Sequence, residues 1–206
     1  MAKLFIDFDG VLFNSKKFKS DLLIEIAKSG FSTEEVNDTY IAECLDGNYL
    51  PKDQLERLLK IKKFNMSLAE ARIENILRQS EKYLFADVVE SLKAIKKLPY
   101  DTSLITLGHP DFQPKKVQIT KIDKLFSHVH YTSDPKVDYL LELLGKKEKF
   151  IIVDDRGDTL EEITKKFPQA LAIEMRREQD AHDPAERPSH FSGPKITNLK
   201  QLIEIL

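Results

Sequence analysis

The sequence predicts an α/β protein: a Rossmann-like parallel sheet core flanked by helices, with a small all-helical subdomain inserted after the first strand. Three observations carry this. Four short apolar runs, LFI (4–6), SLITL (103–107), KFIIV (149–153) and ALAIEM (170–175), are continuous rather than alternating. Strands of that kind are buried on both faces, as parallel strands are. Stretches of helical periodicity separate the last three runs, and residues 15–84 carry helical periodicity with no strand run at all.

The helices follow from spacing and end signals. In 87–98, Val88, Leu92 and Ile95 share one side; 134–145 opens on Asp-Pro and closes on Gly145. In 158–167, Leu160, Ile163 and Phe167 form one face, and 198–206 is a closing amphipathic helix with Asn198 placed to cap it. Within the insert, helices are expected over 16–29, 33–45, 52–63 and 67–83, with breaks at Ser29-Gly30, at LDGNYLP (45–51) and near Asn65. The expected division is a core of 1–14 plus 85–206 and a cap of 15–84. Residues 176–195, polar and with three prolines, read as a surface loop.

Composition narrows the function classes. The chain has 206 residues, 41% hydrophobic and 32% charged, enough for one sizeable core. With 32 basic against 34 acidic residues, no overall field draws it to nucleic acid or to a membrane surface, and no apolar run reaches the length of a span. One cysteine, Cys44, excludes an internal disulfide framework and a cysteine-based zinc cluster; it is expected to be a small core residue. The first strand begins almost at the N-terminus, so a cytoplasmic location is expected, as a monomer or weak homodimer.

Ligands of open α/β sheets bind at the carboxyl ends of the strands. Those ends carry Asp7 and Asp9, Thr106 and Gly108, and Asp154 and Asp155. In extended chain Asp7 and Asp9 project to the same side. Two carboxylates so close repel unless one is protonated or a cation lies between them. Gly10 permits the turn that follows. Alone, such a pair reads equally as two solvated acids at a turn. A calcium loop is excluded, because its twelfth position would be Phe18 and residues 11–13 are apolar. Asp158 suits a helix N-terminus; Asp154 and Asp155, still emerging from a buried strand, suit Mg²⁺. A Thr106 hydroxyl beside Gly108 can donate to an anion. Lys136 can neutralise a phosphate or a carboxylate, with Lys115 and Lys116 as competing candidates.

The set resembles the haloacid dehalogenase superfamily of phosphohydrolases. Its first motif stands here as IDFDGVLF, its second as Thr106 in LITLG, its third as Lys136 in SDPKVDYLLELLG and its fourth as Asp154-Asp155 in IIVDDRGD. The resemblance implies Asp7 as nucleophile, Asp9 as general acid and base, Thr106 with nearby backbone N–H groups on the phosphoryl oxygens, and Lys136 as electrostatic clamp. It implies Mg²⁺ held by Asp7, the backbone carbonyl of Asp9, and Asp155, with Asp154 and Asp158 behind them. Family members that cleave carbon–halogen bonds lack an acid at the position of Asp9, so the resemblance points to a small phosphorylated metabolite as substrate. A phosphotransferase or phosphomutase, and a phosphate- or partner-binding protein without turnover, are the alternatives.

The sequence also departs from the family pattern. Thr159 stands where many members place an acid, which leaves the metal ligand open among Asp154, Asp155 and Asp158. The second motif continues as LGHP, so His109 reads either as a loop residue or as facing substrate. Lys136 follows Pro135. Asn14 and the break at 45–49 are candidates for reading the rest of the substrate.

Overall fold

A computed structural model of the chain describes residues 2–46, 49–145, 147–177 and 190–206. Six parallel strands form one sheet in the order β3-β2-β1-β4-β5-β6. They are β1 (Ala2–Ile6), β2 (Tyr100–Leu107), β3 (His128–Thr132), β4 (Phe150–Asp154), β5 (Leu171–Met175) and β6 (Lys195–Ile196). Register places Ile6 beside Leu104 on one side and beside Val153 on the other. From β1 the chain winds outward through β2 to β3, then returns to lay β4 on the other side of β1. The crevice between the carboxyl ends of β1 and β4 is therefore the switch point where such sheets bind ligands. Asp7 and Asp154 both sit there, with the Asp7 N–H donating to Val153 O at 2.9 Å.

Helices α1 (Ser15–Ala27), α2 (Thr33–Asp46), α3 (Pro51–Ile61) and α4 (Met66–Arg78), then a 3-10 turn at Ser80–Tyr83, lie between β1 and α5 (Val88–Ile95). Two neighbouring stretches of chain tie this insert down: the Asn14 N–H donates to Tyr83 O at 2.7 Å and the Phe85 N–H to Leu12 O at 3.1 Å. One hydrophobic cluster runs from Leu4 and Ile6 on the sheet through Phe8, Phe13 and Phe18 to Leu55 and Leu58 of α3. The Asn14 side chain caps α1 by accepting from the Lys17 N–H.

The remaining helices are α6 (Gln113–Thr120), α7 (Lys136–Leu143), α8 (Gly157–Lys166) and α9 (Leu199–Ile205). No helix among the described residues is long and apolar enough to cross a membrane.

The expected elements form, with ends shifted by a few residues; β3, α6 and β6 are additions. The expected 176–195 loop is exposed at His190, Ser192, Pro194 and Lys195, but two of its described side chains are buried. Arg177 is buried: its guanidinium donates to Val11 O and pairs with Asp87 at 2.8 Å. Phe191 is also buried, and Lys195 already belongs to β6. The middle of that segment, 178–189, lies outside the described residues. Cys44 is exposed, not a core residue, because it lines open cavities at the insert rather than packing in the core.

Candidate active site

At the end of β1 the chain leaves the sheet into a tight turn. Gly10 takes φ +73° there, and a Cβ at that position would collide with the Asp155 carboxylate. Glycine is thus needed twice, for the left-handed backbone and for the close approach. Asp7 is 4% exposed. Its Oδ1 accepts a pair from Lys136 Nζ at 2.7 Å, and the same ammonium reaches Asp154 Oδ2 at 2.6 Å. Lys136 opens α7, and all three groups are buried.

Carboxylate oxygens of Asp7, Asp154 and Asp155 lie within 4.8 Å of one another. Three acids gather around the Lys136 ammonium in a poorly solvated place, with the Arg156 guanidinium acting on Asp154 and Asp155 from the side. Burial pushes the Asp7 carboxyl up to about 7; Lys136 opposes this and the Asp154 charge adds to it. Lys136 loses ground to burial, but Asp154 and Asp7 raise it above the ordinary lysine value. A compact group of carboxylate oxygens with a surplus of charge fits a hard divalent cation. Asp158, by contrast, is exposed and paired with Arg156 at 2.7 Å; it lines the same cavity but is not one of the three clustered acids.

Asp9 has different company. Ser15 Oγ donates to its Oδ1 at 2.5 Å, Lys116 Nζ pairs with that oxygen at 2.7 Å, and the Gln113 amide donates to Oδ2. Burial works against its charge, but Lys116, Ser15 and Gln113 overcome it and hold the carboxyl below the usual range. Lys116 itself lies 5.1–5.7 Å from the ring centroids of Phe8, Phe13, Phe18 and Phe112, within cation–π range. Its neighbour Lys115 is exposed.

Thr106 is fully buried, and its Oγ1 accepts from the Gln113 amide at 2.6 Å. Gly108 gives its N–H to Thr132 O at 2.9 Å. The Gly108 amide expected to meet an anion is thus engaged within the protein, while the Thr106 hydroxyl keeps its own proton to donate but is buried behind the Gln113 amide. His109 Nδ1 accepts from the Asp111 N–H at 3.1 Å, a contact within its own loop.

Two cavities meet at Asp9. One, about 450 Å³, is lined by Asp7, Gly10, Lys136 and Asp155. The other, about 350 Å³, lies under the helical insert and is lined by Phe18, Tyr40, Tyr49 and Phe112. Asp9, Ser15, Leu107 and Arg156 belong to both walls. Of the break at 45–49, Tyr49 reaches the second cavity, while residues 47–48 lie outside the described residues.

Sequence reasoning placed Asp7, Asp9, Thr106, Asp154 and Asp155 at the strand ends, with Lys136 near a helix start. The structure brings the acids and Lys136 together, while Thr106 meets Asp9 only through Gln113. Gln113 and Ser15 were not anticipated, and Lys116 only as a competitor of Lys136. A signal existed. Gln113, Lys116, Val117 and Thr120 are the buried residues of α6, at helical spacing. Three of them are polar, so the stretch lacks the apolar stripe that marks a helix.

Comparisons with known proteins bear on the fold and the family. No characterised protein matches the sequence closely enough to count as a relative. A solved structure from Burkholderia xenovorans LB400, assigned as a haloacid dehalogenase-like hydrolase, superposes with a TM-score of 0.77 at 16% identity, covering 100% of this chain and 97% of its own. A protein from Thermotoga maritima assigned as a beta-phosphoglucomutase gives 0.66 at 14% identity, covering 100% of both chains. A Bacillus subtilis HAD-hydrolase bound to magnesium gives 0.65 at 13% identity, over 100% of this chain and 98% of that one. At these identities the likeness is one of fold. The family model for haloacid dehalogenase-like hydrolases matches residues 4–158, well over half the chain and all four motifs. The chain belongs to the haloacid dehalogenase-like hydrolase family.

Proposed function

We propose that the protein is a magnesium-dependent phosphomonoesterase acting on a small phosphorylated metabolite through an aspartyl phosphate. One observation carries this reading: a second carboxylate, Asp9, stands in the wall between the cavity that holds Asp7 and the cavity under the insert. A halide departs without a proton, whereas an alkoxide needs one. An acid between nucleophile and leaving-group space suits the second chemistry.

In this reading Asp9, an ion paired with Lys116 in the resting site, takes up the proton of an arriving monoester monoanion. An Asp7 oxygen then attacks phosphorus as the ester oxygen leaves with that proton. Asp9, now a base, takes a proton from the water that cleaves the acyl phosphate and restores Asp7. Lys136 holds Asp7 in place and offsets charge on the transferring group. Asp7, Asp155 and the backbone carbonyl of Asp9 would hold the magnesium, with Asp154 fixing Lys136 behind them. Bound there, the ion supplies neutralisation of the phosphoryl oxygens. Thr106 joins the phosphoryl oxygens only if the Gln113 amide turns aside.

A screen of phosphomonoesters with Mg²⁺, with Asp7→Asn as control, tests this. Phosphate release that the control lacks is expected. Equal, background-level release by both proteins from every ester would sink the hydrolase reading. A phosphotransferase or phosphomutase, which passes the same aspartyl phosphate to an acceptor other than water, would show label from a phosphorylated donor in a second sugar. A silent binding protein would show neither.

A further inference from the structure

The cavity under the insert has a chemistry of its own. We infer that it receives the leaving group of the substrate, and that this group carries a planar aromatic or heteroaromatic ring. The inference rests on the phosphomonoesterase reading for the word leaving group; the ring preference rests on the walls.

Position comes first. Asp9, Ser15, Leu107 and Arg156 line both cavities, so the two spaces adjoin at the acid that would protonate the departing oxygen. A phosphoryl group beside Asp7 therefore directs the rest of its ester toward the second cavity. At about 350 Å³ this space lies near the lower end of small-molecule sites, enough for one or two fused rings but not for a polymer.

The walls select within that size. Tyr40 and Tyr49 sit with ring centroids 4.8 Å apart, and Tyr49 meets Phe112 edge-on at 5.9 Å. The Tyr49 hydroxyl donates to Gln54 at 2.6 Å, inside the insert, which leaves ring surface as its contribution to the cavity. Such walls favour a flat π system, by stacking and by edge-to-face contact.

Several of the polar groups present are already engaged within the protein. Asp9 is held by Lys116, Arg156 pairs with Asp158, and His109 is bonded within its loop. Lys19 lies 4.2 Å from the centroid of Tyr40. Among the described residues, Asp9 is the one carboxylate in the wall, and it is already paired with Lys116. A cationic leaving group would thus lack an anionic partner. A polyhydroxylated one would strip its hydroxyls of water without a matching set of donors and acceptors, which is costly. A ring loses little on entry, and a ring bearing a negative group would find Lys19 nearby.

Calorimetry with phosphonates, which cannot be hydrolysed, tests this on the full chain with Mg²⁺. Benzylphosphonate should bind at least tenfold tighter than methylphosphonate and several-fold tighter than cyclohexylmethylphosphonate, which matches it in size but is not flat. Tyr40→Leu should reduce that preference several-fold. So should Cys44→Trp, which fills the cavity from an exposed position. Equal binding of the three, no binding of any, or tighter binding of 3-aminopropylphosphonate or 2,3-dihydroxypropylphosphonate would overturn the inference. Parallel assays on benzyl and methyl phosphate separate the two readings. Ring preference in binding, with no phosphate release from these two or from any ester of the screen, removes the hydrolase reading and keeps the aromatic pocket. Phosphate release without ring preference does the reverse.

Discussion

Lys136 and Lys116 each hold one carboxylate of the Asp-x-Asp pair at 2.7 Å, yet they leave their partners in opposite states. Lys136 faces Asp7 and Asp154 at once, with Asp155 close by, in a place that water barely reaches. One positive charge is spread over several negative ones, and Asp7 is pushed up to about 7, by burial first. Lys116 faces Asp9 alone, with Ser15 and Gln113 adding donors, and the Asp9 carboxyl is held below its ordinary value despite burial. The same two residue types thus build an electron-rich hollow ready for a cation and, a few ångströms away, a neutral pair. The ratio of acids to ammonium groups decides the difference, more than the length of any contact.

Asp7→Asn gives the largest expected effect and sharpens the comparison most. Hydrolysis should fall on the order of 10³-fold or more, since the nucleophile is gone. Stability in chelator should move the other way. An acid whose folded value is raised keeps its proton in the folded state, so the metal-free protein loses stability as pH rises from about 4 towards 7. The amide that replaces the carboxyl cannot ionise. Chemical denaturation at pH 8 without metal should therefore find Asp7→Asn more stable than wild type, and at pH 4 the gap should close. A variant less stable at pH 8 would mean that Asp7 is paired as comfortably as Asp9.

Lys136→Met comes next. It leaves Asp7 and Asp154 buried without their shared cation, and breaking such a pair costs about 3–5 kcal/mol. Mg²⁺ should recover part of this loss, because it binds the folded state alone, and a saturating excess contributes about 2–4 kcal/mol. A metal-independent loss below about 1 kcal/mol would contradict the charge argument.

Gly10→Ala should cost about 1–2 kcal/mol for the left-handed backbone alone. The new methyl also drives Asp155 aside, so the rise in Tm on adding Mg²⁺ should shrink. An unchanged rise would remove Asp155 from the metal site.

How far these two settings could be read from sequence differs, for a physical reason. Asp7, Lys136, Asp154 and Asp155 stand beside buried strands or at a helix start, where polar residues interrupt apolar runs and mark themselves. Strands β1, β2, β4 and β5 are covered on both faces and read as such. By contrast, β3 lies at the sheet edge as HVHYT, half-exposed, and lacks a continuous apolar run. The face of α6 that meets the core presents Gln113 and Lys116 among its buried residues, so burial and hydropathy disagree there. The partnership of Lys116 with Asp9 spans 107 residues of chain, and only the fold brings it about. The aromatic cage belongs to the same class: Phe8, Phe13, Phe18 and Phe112 read as core residues, which they are, and what they surround is invisible in one dimension.

Lys116→Met therefore carries the smallest expected effect and the most informative sign. Methionine keeps an apolar stem among the four rings, so packing is largely preserved. What is lost is a charged hydrogen bond to a carboxylate whose side chain is 31% exposed, worth about 1–2 kcal/mol. Asp9 is a depressed acid: its favourable contribution is complete above the unfolded value near 3.9 and fades as pH falls through the lower folded value. In chelator, the gap between wild type and Lys116→Met should be full at pH 7 and narrow below about pH 4. The gap opened by Asp7→Asn has the opposite sign at pH 8. If both variants shifted stability in the same direction at neutral pH, the two lysine–carboxylate pairs would be equivalent, and the distinction between a cation-seeking hollow and a self-contained pair would fail.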